Sequence, residues 1–172
     1  MRSSGIADLG VHAAGGVYWR FVGRWNNPSN WCRIVSYQQQ ISIHTKGQGD
    51  MHDLTEQVAA IATSSGIQAG TVNIFNVGST AAVGTIEFEP GLKQDLPAIL
   101  DKLIPPSRQY GHEQAWHDGN GHSHLQATLL GPSLTVPISD GKLLLGTWQQ
   151  IFHLECDVRG RQRTIVVTVI GT

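Results

Sequence analysis

The end of the chain constrains the fold most, because it holds several apolar runs separated by short turns. The segments "SLTVPI", "KLLLGTWQQIFHLECD" and "RTIVVTVIG" are rich in apolar and β-branched residues, and "SDG" and "VRGRQ" divide them. Such runs between turn residues are typical of strands, and an Asp-Gly pair between them favours a tight hairpin. The preceding "LQATLLG" is predicted as a further strand. The last third of the chain therefore predicts a sheet.

The middle of the chain adds two helices to three more strands. "YQQQISIHT", "GTVNIFN" and "STAAVGTIEFE" are predicted as strands. "DMHDLTEQVAAIATSSG" has helical spacing, with Asp50 as a plausible N-cap and Gly66 as the stop. A second helix is predicted to start near Asp95, with Pro97 in its first turn, and to end at Pro105–Pro106. This order predicts an α+β fold, with a mixed or antiparallel sheet and two main helices on one side.

Length and charge narrow the class of protein. A chain of 172 residues is expected to form one main domain, and a net charge of −1 is not a balance that favours nucleic acid. No apolar run approaches the ~18 residues of a membrane span, and no secretory signal is recognisable. We therefore expect a cytoplasmic protein without a nucleic-acid or membrane partner. Cys32 and Cys156 have no metal-type spacing and are expected to be free thiols.

Residues 1–34 differ from the rest of the chain. They hold three of the five tryptophans and the turn-rich "NNPSN", and no helical or strand period persists through them. They are predicted to be a poorly ordered N-terminal extension, and residues 35–172 to be the main domain. The alternative is a segment whose tryptophans dock on a partner or on the main domain.

The segment "YGHEQAWHDGNGHSH" concentrates four of the eight histidines: His112, His117, His122 and His124. Its glycines and asparagine favour turns, so a loop is predicted that runs into a strand at Leu125. His122 and His124 would then point to the same side. Imidazole is a common ligand of zinc and similar ions. The spacing matches no specific zinc motif, so a metal or catalytic site and a solvated polar loop both remain open.

Two further segments place polar groups next to predicted strands. Ser79 and Thr80 lie in a turn whose backbone N–H groups and hydroxyls could hold an anion, although an ordinary turn explains them as well. Trp148 and Gln149 follow Gly146 inside an apolar run. A glycine there allows close approach of another group, or it marks a twist or bulge in the sheet.

At these motifs the chain resembles the YjbQ family, whose members are described as secondary thiamine-phosphate synthase enzymes. The resemblance rests on "HDGNGHSHLQATLLGPSLTVPISDGKLLLGTWQQIFHLECD", "RQRTIVVTVIG" and "GSTAAVGTIEFEPGL", and it covers roughly Val35 to Gly171. It implies a compact α+β fold that assembles as a homotrimer. It also implies an active site near the subunit interfaces, often with a divalent metal ion held by histidines.

The family motifs transfer to named positions of this chain. The resemblance implies site roles for His117, Asn120, His124, Ser79, Thr80, Trp148 and Gln149. Gly78 stands where many members have a histidine, and "EFE" stands where many have "NEN". We therefore expect His112 to be the third nitrogen ligand of a zinc-like ion, and Glu87 to face the site. Glu87, Asp118 and Asn120 are the candidate catalytic residues.

The resemblance implies a reaction that joins a hydroxymethylpyrimidine pyrophosphate to a thiazole phosphate and releases pyrophosphate. Trp148 or Trp116 could stack on the pyrimidine. Basic residues near the motifs are few apart from Arg161 and Arg163, so this reaction could be a weak side activity. Two alternatives stay open. One is a metal-dependent hydrolase or lyase of a small phosphorylated metabolite, and the other is a non-enzymatic trimer that binds a metal or a metabolite.

Overall fold

The computed structural model describes the backbone of residues 6–11 and 17–22 and the whole of residues 34–172. The predicted α+β class is confirmed, with antiparallel sheets and four helices. The elements are β1 Ile6–Val11, β2 Val17–Val22, β3 Ile34–His44, β4 Met51–Asp53, α1 Thr55–Ser64, β5 Ala69–Val77, β6 Ala81–Ile86, α2 Pro90–Leu103, α3 Glu113–Trp116, α4 Gly121–Leu130, β7 Ser133–Ser139, β8 Lys142–Leu143, β9 Gln150–Glu155 and β10 Gln162–Gly171.

Two antiparallel sheets organise the chain. The larger has the strand order β1-β2-β3-β10-β5-β7-β8, and the smaller has the order β4-β9-β6. Strand β10 lies at the centre of the larger sheet, and its Ile165, Val167 and Val169 are completely buried. Ile165 pairs with Ile41 of β3. The β-branched run of "RTIVVTVIG" is thus the sequence of a central strand. The burial of one face of this strand explains why its sequence pattern predicts a strand.

The smaller sheet separates two hydrophobic cores. Ile151 of β9 belongs to the first core, which lies against the larger sheet and includes Val58 of α1. The next residue, Phe152, belongs to the second core, together with Leu100 of α2 and Ala127 of α4. Successive side chains of a strand point to opposite faces. The molecule is therefore layered, with the larger sheet on one side of the smaller sheet and helices α2 and α4 on the other.

The prediction for the histidine-rich segment was wrong in its secondary structure. Residues Gly121–Leu130 form α4, where a loop and then a strand from Leu125 were predicted. Packing of Ala127 and Leu130 into the second core stabilises this helix despite the glycines and asparagine before it. As a result His122 and His124 do not share a side, because His122 is buried and His124 is only half-buried.

Both predicted helices exist, but their starts differ from the prediction. Asp50 is not an N-cap, since Met51–Asp53 pairs with β9 as strand β4 and α1 begins afterwards. The second helix begins at Pro90 rather than near Asp95. The Glu89 carboxylate accepts the first backbone N–H groups of this helix, and these hydrogen bonds lower its pKa. Pro97 lies inside the helix.

One long predicted strand is two strands. "KLLLGTWQQIFHLECD" divides into β8 and β9, and residues 144–149 form the connection between them. Trp148 and Gln149 were predicted inside a strand and lie instead in this connection. Within it the N–H of Gly146 donates to the Gln149 side chain at 3.1 Å, and the N–H of Gln149 donates to the Gly146 carbonyl at 2.9 Å. These two bonds close a turn that a continuous strand could not contain.

Two strands lie within the predicted N-terminal extension. β1 pairs with β2, and β2 pairs with β3 in a register that places Val17 opposite Gln38. Residues 1–5, 12–16 and 23–33 lie outside the described residues, and so do Trp25, Trp31 and Cys32. The poor order predicted for the extension therefore stays a prediction. Elsewhere Cys156 is a free, buried thiol.

In the described part of the chain, no helix combines the length and the hydropathy needed to cross a membrane.

Candidate functional site

Residues 112–124, which we call the α3–α4 segment, hold a concentration of buried polar atoms without partners. In the part of the chain that the structure describes, eight buried side-chain atoms have no hydrogen-bond partner, and six of them lie in this segment. They are His112 Nε2, Glu113 Oε1, Asp118 Oδ1, Asn120 Oδ1, His122 Nδ1 and Ser123 Oγ. A buried polar atom without a partner costs about 1–3 kcal/mol. Such a cluster is typical of a place where a ligand or ordered water completes the bonding.

The backbone folds α3 back onto the start of α4. His117 ends α3 in the left-handed conformation with φ 55°, and Gly119 has φ +77°. The N–H of Gly119 donates to Glu113 Oε2 at 3.0 Å, which fixes the turn. A Cβ at Gly121 would lie 2.8 Å from the Cβ of Tyr110 and 3.2 Å from that of His112. Glycine at this position therefore permits the close approach.

The turn brings together two of the predicted metal ligands and one predicted catalytic residue. The ring centroids of His112 and His124 are 4.6 Å apart. His112 Nε2 lies 3.4 Å from Asp118 Oδ1, a separation within ion-pair range whose alignment does not make a hydrogen bond. The exposed ring of Trp116 stacks on His112 with 6.5 Å between centroids. Asn120, also predicted, is buried at the N-cap position of α4.

His117, the other predicted ligand, does not join this group. It is exposed, and its carbonyl accepts a 3.4 Å hydrogen bond from Arg108. No ring contact or ion pair among the described residues links it to His112 or His124. The described residues also contain no group of three or more His, Cys, Asp or Glu side chains arranged to hold a metal ion. A single chain therefore does not assemble the predicted site of three histidines, and the metal ion stays a prediction.

His122 belongs to a separate, partly buried network. Its Nε2 is 3.2 Å from Gln48 Oε1, and Gln48 Nε2 donates to Asp101 at 2.6 Å. Gln126 Nε2 also donates to Asp101, at 2.9 Å. Burial lowers the pKa of His122, and the nearby charges of Asp101, Asp157 and Glu113 oppose that shift. Nothing in the sequence pattern pointed to Gln48, Asp101 or Gln126.

The two residues of the predicted anion-binding turn differ in their exposure to solvent. Ser79 is exposed, whereas Thr80 is buried. The Thr80 hydroxyl accepts from Arg163 Nη2 at 2.8 Å and donates to Asp157 Oδ2 at 3.2 Å. This hydroxyl is engaged inside the protein, so it does not offer a free donor to a phosphate.

Thr80 belongs to a buried ionic cluster, which we call the Glu155 network. Arg163 donates to both oxygens of Glu155, with Nε 2.7 Å from Oε2. The Thr45 hydroxyl also donates to Oε2, at 2.7 Å. Arg161 Nε donates to Asp157 at 2.9 Å, and the N–H of Asp157 donates to Glu155. Arg161 and Arg163, the two basic residues near the motifs, are therefore both paired with carboxylates.

The remaining predicted residues lie apart from the α3–α4 segment. Glu87 is exposed, one residue beyond β6, and Trp148 is 71% exposed. Gln149 Nε2 donates to the Thr85 hydroxyl at 3.1 Å. Within residues 34–172, no hydrogen bond, ion pair or ring contact joins any of these three side chains to the segment. Their predicted site roles stay predictions.

Arg108 is a basic residue at the segment that the sequence motifs did not reveal. Its side chain is 73% exposed, and its Nη1 lies 3.8 Å from Glu113 Oε2. The guanidinium covers Gly119, where a Cβ would approach Nη2 to 3.3 Å. It lies outside the recognisable motifs, so only the folded turn places it beside the cluster.

Comparison with known proteins gives a consistent family match. The family model described as "UPF0047 protein YjbQ-like" matches residues 39–172. A UPF0047 protein of Methanothermobacter thermautotrophicus is 40% identical over 135 residues, covering 78% of this chain and 92% of the relative. A UPF0047 protein of Archaeoglobus fulgidus is 37% identical over 127 residues, covering 74% and 97%. The resemblance drawn from the motifs is thereby confirmed.

Solved structures agree with the fold. A YbjQ-like protein of unknown function from Sulfolobus solfataricus has a TM-score of 0.76 at 36% identity, covering 81% of this chain and 99% of its own. A hypothetical protein from Aeropyrum pernix has a TM-score of 0.72 at 31% identity, covering 78% and 98%.

Proposed function

Since the chain belongs to the YjbQ-like UPF0047 family, we propose that it is an enzyme that acts on a small phosphorylated metabolite at the α3–α4 segment. The observation that carries the proposal is the set of six buried polar atoms without hydrogen-bond partners in residues 112–124, the segment that also holds the close His112–His124 pair. Buried polar atoms usually have a partner in the protein or in ordered water, so a cluster without protein partners favours a place where a ligand or water binds.

The arrangement suits proton transfer. His112 and His124 lie close enough to serve one substrate, and Asp118 lies 3.4 Å from His112 Nε2, where it can orient the ring. A positioned acid or base typically contributes about 10²–10⁴ in rate. Trp116 covers His112 and presents an exposed aromatic face on which a heterocycle can stack.

The reaction we propose in detail is the one implied by the family resemblance: the joining of a hydroxymethylpyrimidine pyrophosphate to a thiazole phosphate. The test supplies both precursors, then each alone, and measures released pyrophosphate. We expect release only with both precursors, and its loss in His112→Ala and His124→Ala. His44→Ala, at an exposed position of β3, is the matched control. Pyrophosphate release that is unchanged in both variants would contradict this site.

A second candidate is a metal-dependent hydrolase or lyase with a single phosphorylated substrate. The observation that favours it is the grouping of two imidazoles and the Asp118 carboxylate, which are ligand types that zinc accepts. One chain supplies no complete ligand set, so we derive no step through the metal. Elemental analysis of wild type beside His124→Ala tests this candidate. About one metal ion per chain, reduced in the variant, would support it, and a metal-free active enzyme would contradict it.

We also propose a homotrimer with the site near its interfaces. What supports this is the apolar surface beside the site: Leu125 and Leu129 of α4 are 46% and 58% exposed, on the same helix as His124. Dilution should lower activity together with trimer content, and full activity of isolated monomers would defeat the proposal. Ligand binding without turnover of any phosphorylated substrate would instead indicate a non-enzymatic binding protein.

A further inference from the structure

The first turn of α4 lacks the partners that a helix start usually has. The N–H groups of Ser123 and His124 donate to the carbonyl of Asn120, whereas those of Gly121 and His122 meet no acceptor among the described residues. Asn120 stands at the N-cap position, but its side chain makes no capping hydrogen bond. Gly121 and His122 are both buried residues, and the first N–H groups of a helix have no partner within the helix itself.

An unpartnered hydroxyl lies in the same turn. Ser123, the third residue of α4, is 0% exposed, and its Oγ has no partner. Side chains of a helix lean towards its N-terminus, so the Cα–Cβ bond of Ser123 leans towards the start of α4. Asn120 is only 5% exposed and also has an unpartnered side-chain oxygen. A helix start with free N–H groups, a positive dipole end and a free hydroxyl favours an oxyanion.

The charges around this turn permit an anion. Each carboxylate near the turn has a neighbour that donates or is basic. Glu113 lies 3.8 Å from Arg108, and Asp118 lies 3.4 Å from His112. Asp101 and Asp157, whose charges also act on His122, accept hydrogen bonds from Gln48 and from Arg161. Glu113 also accepts the N–H of Gly119. Arg108 is mostly exposed, so its remaining N–H groups are available to a ligand that enters from solvent.

We propose that the first turn of α4, with Ser123 and Arg108, is the site that holds a phosphate group of the substrate. This inference rests on the proposed function and deepens it, because it assigns the phosphate to α4. The sequence had pointed to Ser79 and Thr80, but the Thr80 hydroxyl is engaged in the Glu155 network. The phosphate would accept from the N–H groups of Gly121 and His122 and from the Ser123 hydroxyl. Arg108 would close over it.

The test is calorimetric titration of the purified full chain with inorganic phosphate, and with acetate as the second probe. We expect Arg108→Gln and Ser123→Ala each to weaken phosphate binding by about tenfold. The loss of one hydrogen bond to a charged group typically lowers affinity by at least about that factor. Arg159→Gln and Ser139→Ala are matched controls at exposed positions, and they should bind phosphate as the wild type does. Circular dichroism would verify that every variant is folded.

Three results would overturn the inference. They are no phosphate binding by the wild type at millimolar concentration, equal binding by all four variants, and acetate binding of the same strength with the same sensitivity to Arg108 and Ser123. The outcome is separable from the proposed reaction, because phosphate binding is measured without turnover. Phosphate binding without pyrophosphate release would leave this site standing and remove the reaction. Turnover of the substrates, together with unchanged phosphate binding in the variants, would support the reaction and remove this phosphate site.

Discussion

The Glu155 network and the α3–α4 segment are both buried and polar, yet they differ in how their polar atoms are used. In the network, Glu155, Arg163, Thr80 and Thr45 bond to one another, and one oxygen of Asp157 is left without a partner. In the segment, six atoms are left without partners. The network therefore joins strands through its internal hydrogen bonds, whereas the segment has unused polar atoms, which we propose serve a ligand.

The largest expected effect is on the stability that the network provides. Arg163→Met leaves the buried Glu155 carboxylate without its partner, and removing one member of a buried pair typically costs about 3–5 kcal/mol. Urea unfolding measures this loss. Arg159→Met, at an exposed position, should change the free energy of unfolding by less than about 0.5 kcal/mol. A loss below about 1 kcal/mol in Arg163→Met would show that the network is not structural.

A somewhat smaller change in the free energy of unfolding is expected when the pH is lowered. His153 is fully buried between the sheets, with Nε2 3.1 Å from Asn76 Oδ1, and burial lowers its pKa to about 4. Between about pH 6.5 and pH 4 the unfolded chain takes up a proton there and the folded chain does not. Stability should therefore fall as the pH falls through this window, by roughly 3 kcal/mol in all.

The matched variants for this window are His153→Gln and His44→Gln. His153→Gln removes the titrating ring, so the free energy of unfolding should fall less steeply between pH 6.5 and pH 4. His44 is exposed, and His44→Gln should retain the wild-type slope. Identical slopes in all three proteins would contradict the burial of a neutral His153.

In the segment, the expected loss is of activity rather than stability. His112→Ala should lower kcat/KM by about 100-fold, which corresponds to about 2.7 kcal/mol of transition-state stabilisation. The free energy of unfolding should change by less than about 1 kcal/mol, because His112 is only half-buried and its 3.4 Å approach to Asp118 is not a hydrogen bond. Steady-state kinetics and urea unfolding on the same preparation distinguish the two effects. A variant that is destabilised yet retains full kcat/KM would make His112 a structural residue.

The smallest effect concerns the aromatic cover of the site. Trp116→Ala should weaken substrate binding by about three- to tenfold, as expected for the loss of one stacking contact. Stability should hardly change, because the side chain is 71% exposed. Trp148→Ala is the comparison, since Trp148 is equally exposed but lies between β8 and β9. A loss confined to Trp148→Ala would assign the stacking role to that connection instead.

The sheets were predictable from sequence because the central strands are buried along one face for most of their length. β10, β5 and β3 are buried on at least one face along their length, and their alternation of apolar residues reflects that burial. Helix α4 was not predictable. Its stability comes from Ala127 and Leu130 against the second core, a contact between parts of the chain that are distant in sequence.

The candidate site likewise contains some residues that the sequence predicted and others that it did not. Motifs pointed to His112, His124 and Asp118, which the fold brings together, and to Asn120, which lies at the N-cap position of α4. They also pointed to Thr80. Its hydroxyl accepts a hydrogen bond from Arg163, which lies on β10, far from Thr80 in sequence. Arg108, Ser123 and Gln48 carried no local signal. The places of Arg108 and Ser123 in the proposed site depend on the folded turn at Gly119 and on the start of α4.

The central claim is that the unpartnered atoms of the α3–α4 segment serve a ligand. The most direct test is the free energy of unfolding of wild type and Ser123→Ala, each with and without phosphate at about ten times the wild-type dissociation constant. Without phosphate the variant should be as stable as wild type or slightly more stable, since it removes a buried hydroxyl without a partner. Phosphate should add about 1.4 kcal/mol to wild type and much less to the variant. A variant that is about 2 kcal/mol less stable without phosphate, and that gains as much from phosphate as the wild type, would contradict the claim.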